Sequence, residues 1–498
     1  MRPQPEDGRL AVPLFLRWAV FALALAFLAL YLAIAPARIS YPFELEWMEG
    51  ACVDHVRRVL AGRPLYVVPS LDFVPFVYPP FYFWVSAALA KLTGVGFLPL
   101  RLVSFLSSLG CFAIIFLMVR RQTRSAFAGV VGAGLFAACF RVSGAWYDIA
   151  RVDMLALVLL LGAIYLIQLD RPRAPHVLAG VVLALAFLTK QIALAAALPV
   201  MLYALIVQRR RGLVFTLTSL LLSAVSALVF NHLSGGWYRY YVFDLPRQHE
   251  IDRAAATGFW TTDMLAAVPI GLALAIFGIV RRWRSDRRSA WLWGAVLLGA
   301  LGASWSGRAH SGGYNNVLIP AYAAISIVFA IGLDDALVAI RSARHPRMRA
   351  LGASAVLLLA AAQFARLSYD PGKQIPTAAD RQAGEELVAA MRAAPGEVYL
   401  PYHGYLPVLS GKRSYAHAMA VWDVARGSES EAAASLLSEI TAAVRERRFA
   451  SMIVDSEVFA QPELDVYYYR HPIAYEGDVF YPVTGMRTRP QYFCLPRR

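Results

Sequence analysis

Long apolar runs separated by short breaks, with arginine crowded into every second break, dominate this chain of 498 residues. A bilayer-crossing helix needs about 20 mostly apolar residues. Shorter or broken helices are tolerated where protein or a wet cavity shelters them. Eleven segments fit this description: 14–35, 99–119, 126–146, 154–169, 177–189, 192–207, 213–232, 264–280, 291–305, 317–333 and 351–367. Composition agrees, with 58% hydrophobic and 16% charged residues and a mean hydropathy of +0.51. A soluble domain carries roughly 25% charged residues. The expected fold is therefore an all-α polytopic membrane protein.

Arginine placement sets the expected orientation. The basic breaks contain Arg2, Arg9 and Arg17; Arg120, Arg121 and Arg124; Arg171 and Arg173; Arg209, Arg210 and Arg211. Two more contain Arg281, Arg282, Arg284, Arg287 and Arg288, and Arg341, Arg344, Arg347 and Arg349. Against these twenty arginines stand six acids: Glu6, Asp7, Asp170, Asp286, Asp334 and Asp335. The surplus of 14 is nearly the whole formal net charge of +15. Under the positive-inside rule these breaks are cytoplasmic, and so is the N-terminus. The basic character thus reports topology and gives no reason to expect nucleic-acid binding. Reading 177–207 as one helix would invert every later basic break. Two short helices turning near Lys190 preserve the alternation.

The opposite face receives the long connections 36–98, 235–263 and 306–316, and a polar tail, 368–498. Helical patterns at 379–394 and 429–447 alternate in the tail with strand patterns at 397–401 and 451–455. This predicts a small extracytoplasmic α/β domain, and a division into 1–367 and 368–498. The first apolar run lacks a clean cleavage site and reads as an uncleaved helix. Cys52 and Cys494 both fall on the outer side, where a disulfide is chemically allowed. No glycine-rich nucleotide loop follows a strand, and the basic breaks are short. An activated substrate must come from the membrane or the outer side.

Three carboxylates, Glu44, Glu46 and Glu49, stand just beyond the first span. Carboxylates beside a bilayer are costly unless solvated, paired or used. They either solvate the interface beside Arg57 and Arg58 or serve a site that meets a lipid-borne substrate. From Met48 to Leu60 an amphipathic helix, suited to the interface plane, ends at Gly62. Tyr78-Pro79-Pro80-Phe81-Tyr82 opens a second juxtamembrane helix reaching about Leu92. Trp237-Tyr238-Arg239-Tyr240-Tyr241 fits an aromatic belt. Asp72 reads as a loop acid. In the tail, His403, Tyr405, His417 and Asp423 are candidate contacts to an acceptor, and the histidine spacing there fits no zinc motif.

Several of these stretches together resemble the GT-C superfamily, integral-membrane glycosyltransferases of the protein O-mannosyltransferase and aminoarabinose-transferase type. They are Glu46-Trp47-Met48-Glu49-Gly50, Leu60-Ala61-Gly62, Tyr78-Pro79-Pro80-Phe81-Tyr82 and Arg101-Leu102-Val103-Ser104. Arg151-Val152-Asp153 and Gly180 through Thr189-Lys190 extend the resemblance over 14–333. It implies a polyprenyl-phosphate sugar donor, a glycan, lipid or protein acceptor, and a bacterial inner membrane. An inverting transfer needs a carboxylate to take the acceptor proton and positive charge at the leaving phosphate. The family's Asp-Glu pair in the first loop is missing here, so Glu44, Glu46 and Glu49 all remain candidates, with Glu46 first. Lys190, Arg101, Arg151, Arg308, His310 and Tyr78 are the candidate ligands of phosphate or sugar. Lys190 and Arg101 equally suit snorkelling at an interface. Asp153 binds the acceptor, holds a divalent cation with Glu49, or caps its helix. The rival class, a transporter or flippase of lipid-linked components, predicts inverted repeats, and none is visible.

Overall fold

The computed structural model describes residues 7–169, 174–426, 430–455 and 463–497. Arg2, Glu6, Asp170, Arg171 and Arg173, and the start of the tail helix expected from residue 429, lie outside the described residues. Each of the eleven apolar segments contains a helix. First comes α1 (Asp7–Ile39), then α2 (Glu49–Leu60) and α3 (Phe81–Thr93) in the first loop. They are followed by α4 (Phe97–Thr123), α5 (Ala126–Ala138), α6 (Asp153–Ile167), α7 (Ala174–Thr189), α8 (Ile192–Tyr203) and α9 (Arg210–Leu233). Short helices α10 (Trp237–Arg239), α11 (Leu245–Gln248) and α12 (Arg253–Gly258) occupy the next connection. The bundle closes with α13 (Pro269–Ser285), α14 (Arg287–Ala309), α15 (Ile319–Arg341) and α16 (Pro346–Arg366).

Among the described residues, α1, α4, α9, α15 and α16 include segments long and apolar enough to cross a membrane. A sixth crossing arises if Arg253–Ala266 and Pro269–Ser285, bent by 88°, act as one span. Helices α5 to α8 are apolar but shorter. Length alone therefore supports five or six of the eleven expected spans. Expected segment 126–146 stops being helical at Ala138, and 139–152 folds into turns. The buried Arg38–Asp148 pair, 2.6 Å apart, pins those turns to the end of α1.

The tail contains α17 (Ala378–Ala393), α18 (Leu406–Leu409), α19 (Ala418–Arg426), α20 (Glu431–Arg445) and α21 (Leu464–Tyr467). Its strands are β1 (Val398–Tyr399), β2 (Ser451–Val454), β3 (Tyr468–Pro472) and β4 (Tyr492–Pro496), in the sheet order β1-β2-β4-β3. β1 and β2 run parallel, and β4 is antiparallel to both its neighbours. The two expected strands are present; β3 and β4 were not foreseen.

The tail sits on the first loop. Gly50 of α2 meets Gly404 so closely that a Cβ on Gly50 would lie 1.9 Å from the Gly404 carbonyl oxygen. Beside this contact His403 bridges Glu44 at 2.5 Å and Asp455 at 3.1 Å. Burial alone would lower the His403 pKa, but the two carboxylates outweigh it and push it up to about 10. This docking corrects the expectation that α2 lies in the interface plane: Ala51, Cys52, Val53 and Val56 are buried under the tail and bundle. Within the expected aromatic belt, Tyr238 and Tyr241 are buried in the core instead, while Trp237, Arg239 and Tyr240 keep exposed surface. Cys52 and Cys494 are both free thiols, so the allowed disulfide is not made.

Candidate active site

Two neighbouring cavities open where the first loop, α6, the α7–α8 break and the 306–317 connection converge. One, of 390 Å³, is walled by Glu46, Trp146, Arg151 and residues of α19. The other, of 320 Å³, runs between α6, α8 and α14 and is lined mainly by side chains such as Leu157, Leu160, Ile192 and Val317. Tyr78, Lys190, His310 and Asn316 line both, so polar groups mark the junction of the apolar groove with a chamber richer in charged side chains.

The three loop carboxylates have separate fates. Glu49 begins α2 and is wholly buried against Arg101, 2.6 Å away. It also accepts the Leu45 and Ala150 N–H groups, each at 2.6 Å. Arg101 spends its remaining donors on the Tyr41 and Phe43 carbonyls, each at 2.6 Å. Neither side chain lines the two cavities, which corrects Glu49 as a base and Arg101 as a phosphate ligand. Glu44 turns toward His403 and the Gly50 N–H, into the docking contact. Only Glu46 of the three reaches the chamber.

Local backbone structure holds Glu46 there. It forms a bridge with Thr484 of the tail, and Thr484 N–H donates to the Leu45 carbonyl at 3.2 Å. Gly485, at φ +80°, passes over it so tightly that a Cβ would come within 2.8 Å of the Glu46 Cγ. Glu46 Oε2 lies 3.3 Å from Arg151 Nη1, while buried Oε1 has no partner among the described residues. Burial raises the Glu46 pKa and Arg151 opposes it, leaving it at about 7. Such a carboxylate is poised to take or give a proton near neutral pH. Arg151 also donates to the Tyr78 hydroxyl at 3.0 Å and lies over the ring of Trp146.

Asp153, the first residue of α6, is saturated. It accepts from Lys190 at 2.6 Å, Asn316 at 3.0 Å and the Trp146 indole at 2.9 Å. The suggested Asp153–Glu49 cation site is therefore corrected, since each carboxylate is already matched to a basic side chain. Among the described residues no group of three or more His, Cys, Asp or Glu is arranged around a metal position. Arg308 pairs with Asp263 at 2.9 Å and donates to the Gly313 carbonyl, so it braces the loop outside both cavities. His310 hydrogen-bonds the Ser306 carbonyl at 2.7 Å and lines the junction.

A family model described as dolichyl-phosphate-mannose-protein mannosyltransferase matches residues 77–234. That stretch carries Tyr78, Arg101, Arg151, Asp153 and Lys190. No curated protein matches the sequence. ArnT from Cupriavidus metallidurans in the apo state is similar over 96% of this chain and 97% of its own, with TM-score 0.60 and 14% identity. The same protein bound to undecaprenyl phosphate gives TM-score 0.57 at 13% identity, over 96% and 97% of the two chains. Archaeal oligosaccharyltransferase AglB from Archaeoglobus fulgidus, in complex with an inhibitory peptide and a dolichol-phosphate, gives TM-score 0.52 at 12% identity. There the match covers 89% of this chain and 70% of that one. The chain has the GT-C fold.

Within this GT-C fold the tail contributes differently than its sequence suggested. His403, Tyr405 and His417 are docking residues: Tyr405 N–H donates to Asp54 at 2.9 Å, and the His417 ring lies 5.0 Å from that of Trp47. Asp72 is the loop acid expected, paired with Arg413 at 2.6 Å. Asp423 does reach the chamber, together with Met419, Trp422 and Arg426, which sequence reasoning missed. A signal existed. Positions 419, 422, 423 and 426 share one helical face, while Ala420, Val421 and Val424 take the other.

Proposed function

We infer that this chain is a membrane glycosyltransferase that moves a sugar from a polyprenyl phosphate to an acceptor hydroxyl, with Glu46 as general base. The observation that carries the reading is Glu46, with its Oε1 buried and unpartnered among the described residues, on the wall of a chamber that shares Lys190 and Tyr78 with an apolar groove. The groove suits a lipid tail, the junction suits its phosphate, and the chamber suits sugar and acceptor. The fold likeness and the family-model match support the same reading. In the reaction, the acceptor oxygen bonds to the anomeric carbon as the bond from that carbon to the phosphate oxygen breaks. Glu46 takes the acceptor proton, and the lipid leaves as a phosphate monoester. Lys190 and Arg151 offset the charge that develops. Attack from the chamber opposite the leaving phosphate inverts the anomeric centre.

In this reading residues 1–367 form the catalytic membrane domain, with some eleven crossings counting short helices sheltered by their neighbours. Residues 368–498 form the extracytoplasmic domain that closes the chamber. Membranes containing the protein, given undecaprenyl phosphate carrying radiolabelled aminoarabinose, mannose or another candidate sugar, should release labelled sugar to an acceptor or to water. Absence of such release with every donor, from protein that remains folded, overturns the reading.

A further inference from the structure

Helix α19 puts a second polar cluster into the same chamber, on the wall contributed by the tail. Asp423 is bound by Arg426 at 2.5 Å. Arg426 Nη2 donates to His249 Nδ1 at 3.3 Å, and Nη1 lies 3.5 Å from Ser311 Oγ. Because His249 Nδ1 accepts, its proton is on Nε2. Burial and the neighbouring Arg426 keep that ring neutral, with its pKa lowered to about 4. His249 Nε2 and Arg426 Nε are both buried without a hydrogen-bond partner among the described residues. Nε2 lies 3.6 Å from Asp423 Oδ1, too far for a hydrogen bond. His249, Asp423 and Arg426 thus line one volume, beside the Trp422 indole, which is 40% exposed and has the Arg426 guanidinium over its ring at 5.4 Å. Unmatched buried donors are costly, and a polar ligand removes the cost.

We propose that this face of α19, with His249, is the acceptor subsite and that it takes a carbohydrate. The proposal rests on the transferase reading above and names its acceptor class. Neighbouring sugar hydroxyls both donate and accept. One can donate to Asp423 while the next accepts from His249 Nε2–H or Arg426 Nε–H. An indole face packs on the C–H side of a pyranose ring. A peptide would instead require a run of backbone partners, and the cluster consists of side chains at fixed mutual spacing.

Binding without donor provides the test. Full-length protein in detergent is titrated with methyl hexopyranosides and methyl pentopyranosides, and with a blocked Ser-containing tripeptide, using saturation-transfer NMR. At least one glycoside should bind with millimolar affinity, and Asp423→Asn should weaken it about tenfold or more, as expected for one charge-assisted hydrogen bond. Arg426→Lys retains the charge but removes Nε–H and should weaken binding as well. If α19 only latches the tail to the bundle, Asp423→Asn lowers the melting temperature and leaves glycoside affinity unchanged, which overturns the proposal. So does binding of the tripeptide alone, or of no glycoside. Glycoside binding with no turnover of any lipid-phosphate sugar would overturn the transferase reading instead.

Discussion

Glu46 and Glu49 stand less than one helical turn apart, and sequence gives no means of ranking them beyond a pattern match. Packing separates them. Glu49 meets Arg101, fifty-two positions away in the chain, with all its oxygens used; Glu46 stops at a bridge to Thr484 with one oxygen unused. Long-range partners of this kind leave no trace in local spacing. Glu46→Gln should leave a folded protein whose transfer rate falls about 10²- to 10⁴-fold. A base must be unprotonated to act, so with a pKa of about 7 the wild-type rate should climb as pH rises through neutrality. A flat pH–rate profile, or full activity in Glu46→Gln, removes Glu46 from the mechanism. Glu49→Gln should behave differently: breaking a buried ion pair costs about 3–5 kcal/mol. Its thermal unfolding should shift strongly downward, and a variant with unchanged melting would contradict the bracing role.

At the scale of elements, the break between α7 and α8 was legible because the arginine alternation fails without it. Its purpose was not, since a lysine at a break reads equally as an anchor. The structure puts Lys190 at the seam of groove and chamber, 2.6 Å from Asp153. Lys190→Ala should weaken binding of undecaprenyl phosphate, measured with the purified protein, by tenfold or more if a direct charged contact is lost. Unchanged affinity returns the residue to a snorkelling role. Strands β3 and β4 escaped notice for another reason. β4 inserts between β2 and β3, so its partners are set by topology, and Tyr468-Tyr469-Arg470-His471-Pro472 has no clean alternation of polar and apolar residues. Tyr238 and Tyr241 of the aromatic run misled because tyrosines facing a core and tyrosines facing a headgroup look alike in sequence.

For the whole molecule, the charge pattern predicts that the site and the tail share the face opposite the arginine-rich breaks. A reporter active only outside the cytoplasm, fused after Arg498, should be active, and a cytoplasm-dependent one silent; the reverse result would invert the layout and move Glu46 to the wrong side of the membrane. Under the proposed transfer reaction, the Lys190–Asp153 pair would also govern release of the spent carrier. A sugar donor is a phosphodiester with one negative charge, whereas the spent carrier is a monoester bearing up to two. A lone lysine would therefore grip the product harder than the substrate and stall after one round. Asp153 holds the same ammonium group at 2.6 Å, so in that cycle each departing carrier would be exchanged for a carboxylate that never leaves. Asp153→Asn should hold the spent lipid more tightly and show a fast first turnover followed by a slow steady state. A single uniform phase at the wild-type rate would show that Asp153 plays no part in letting the carrier go.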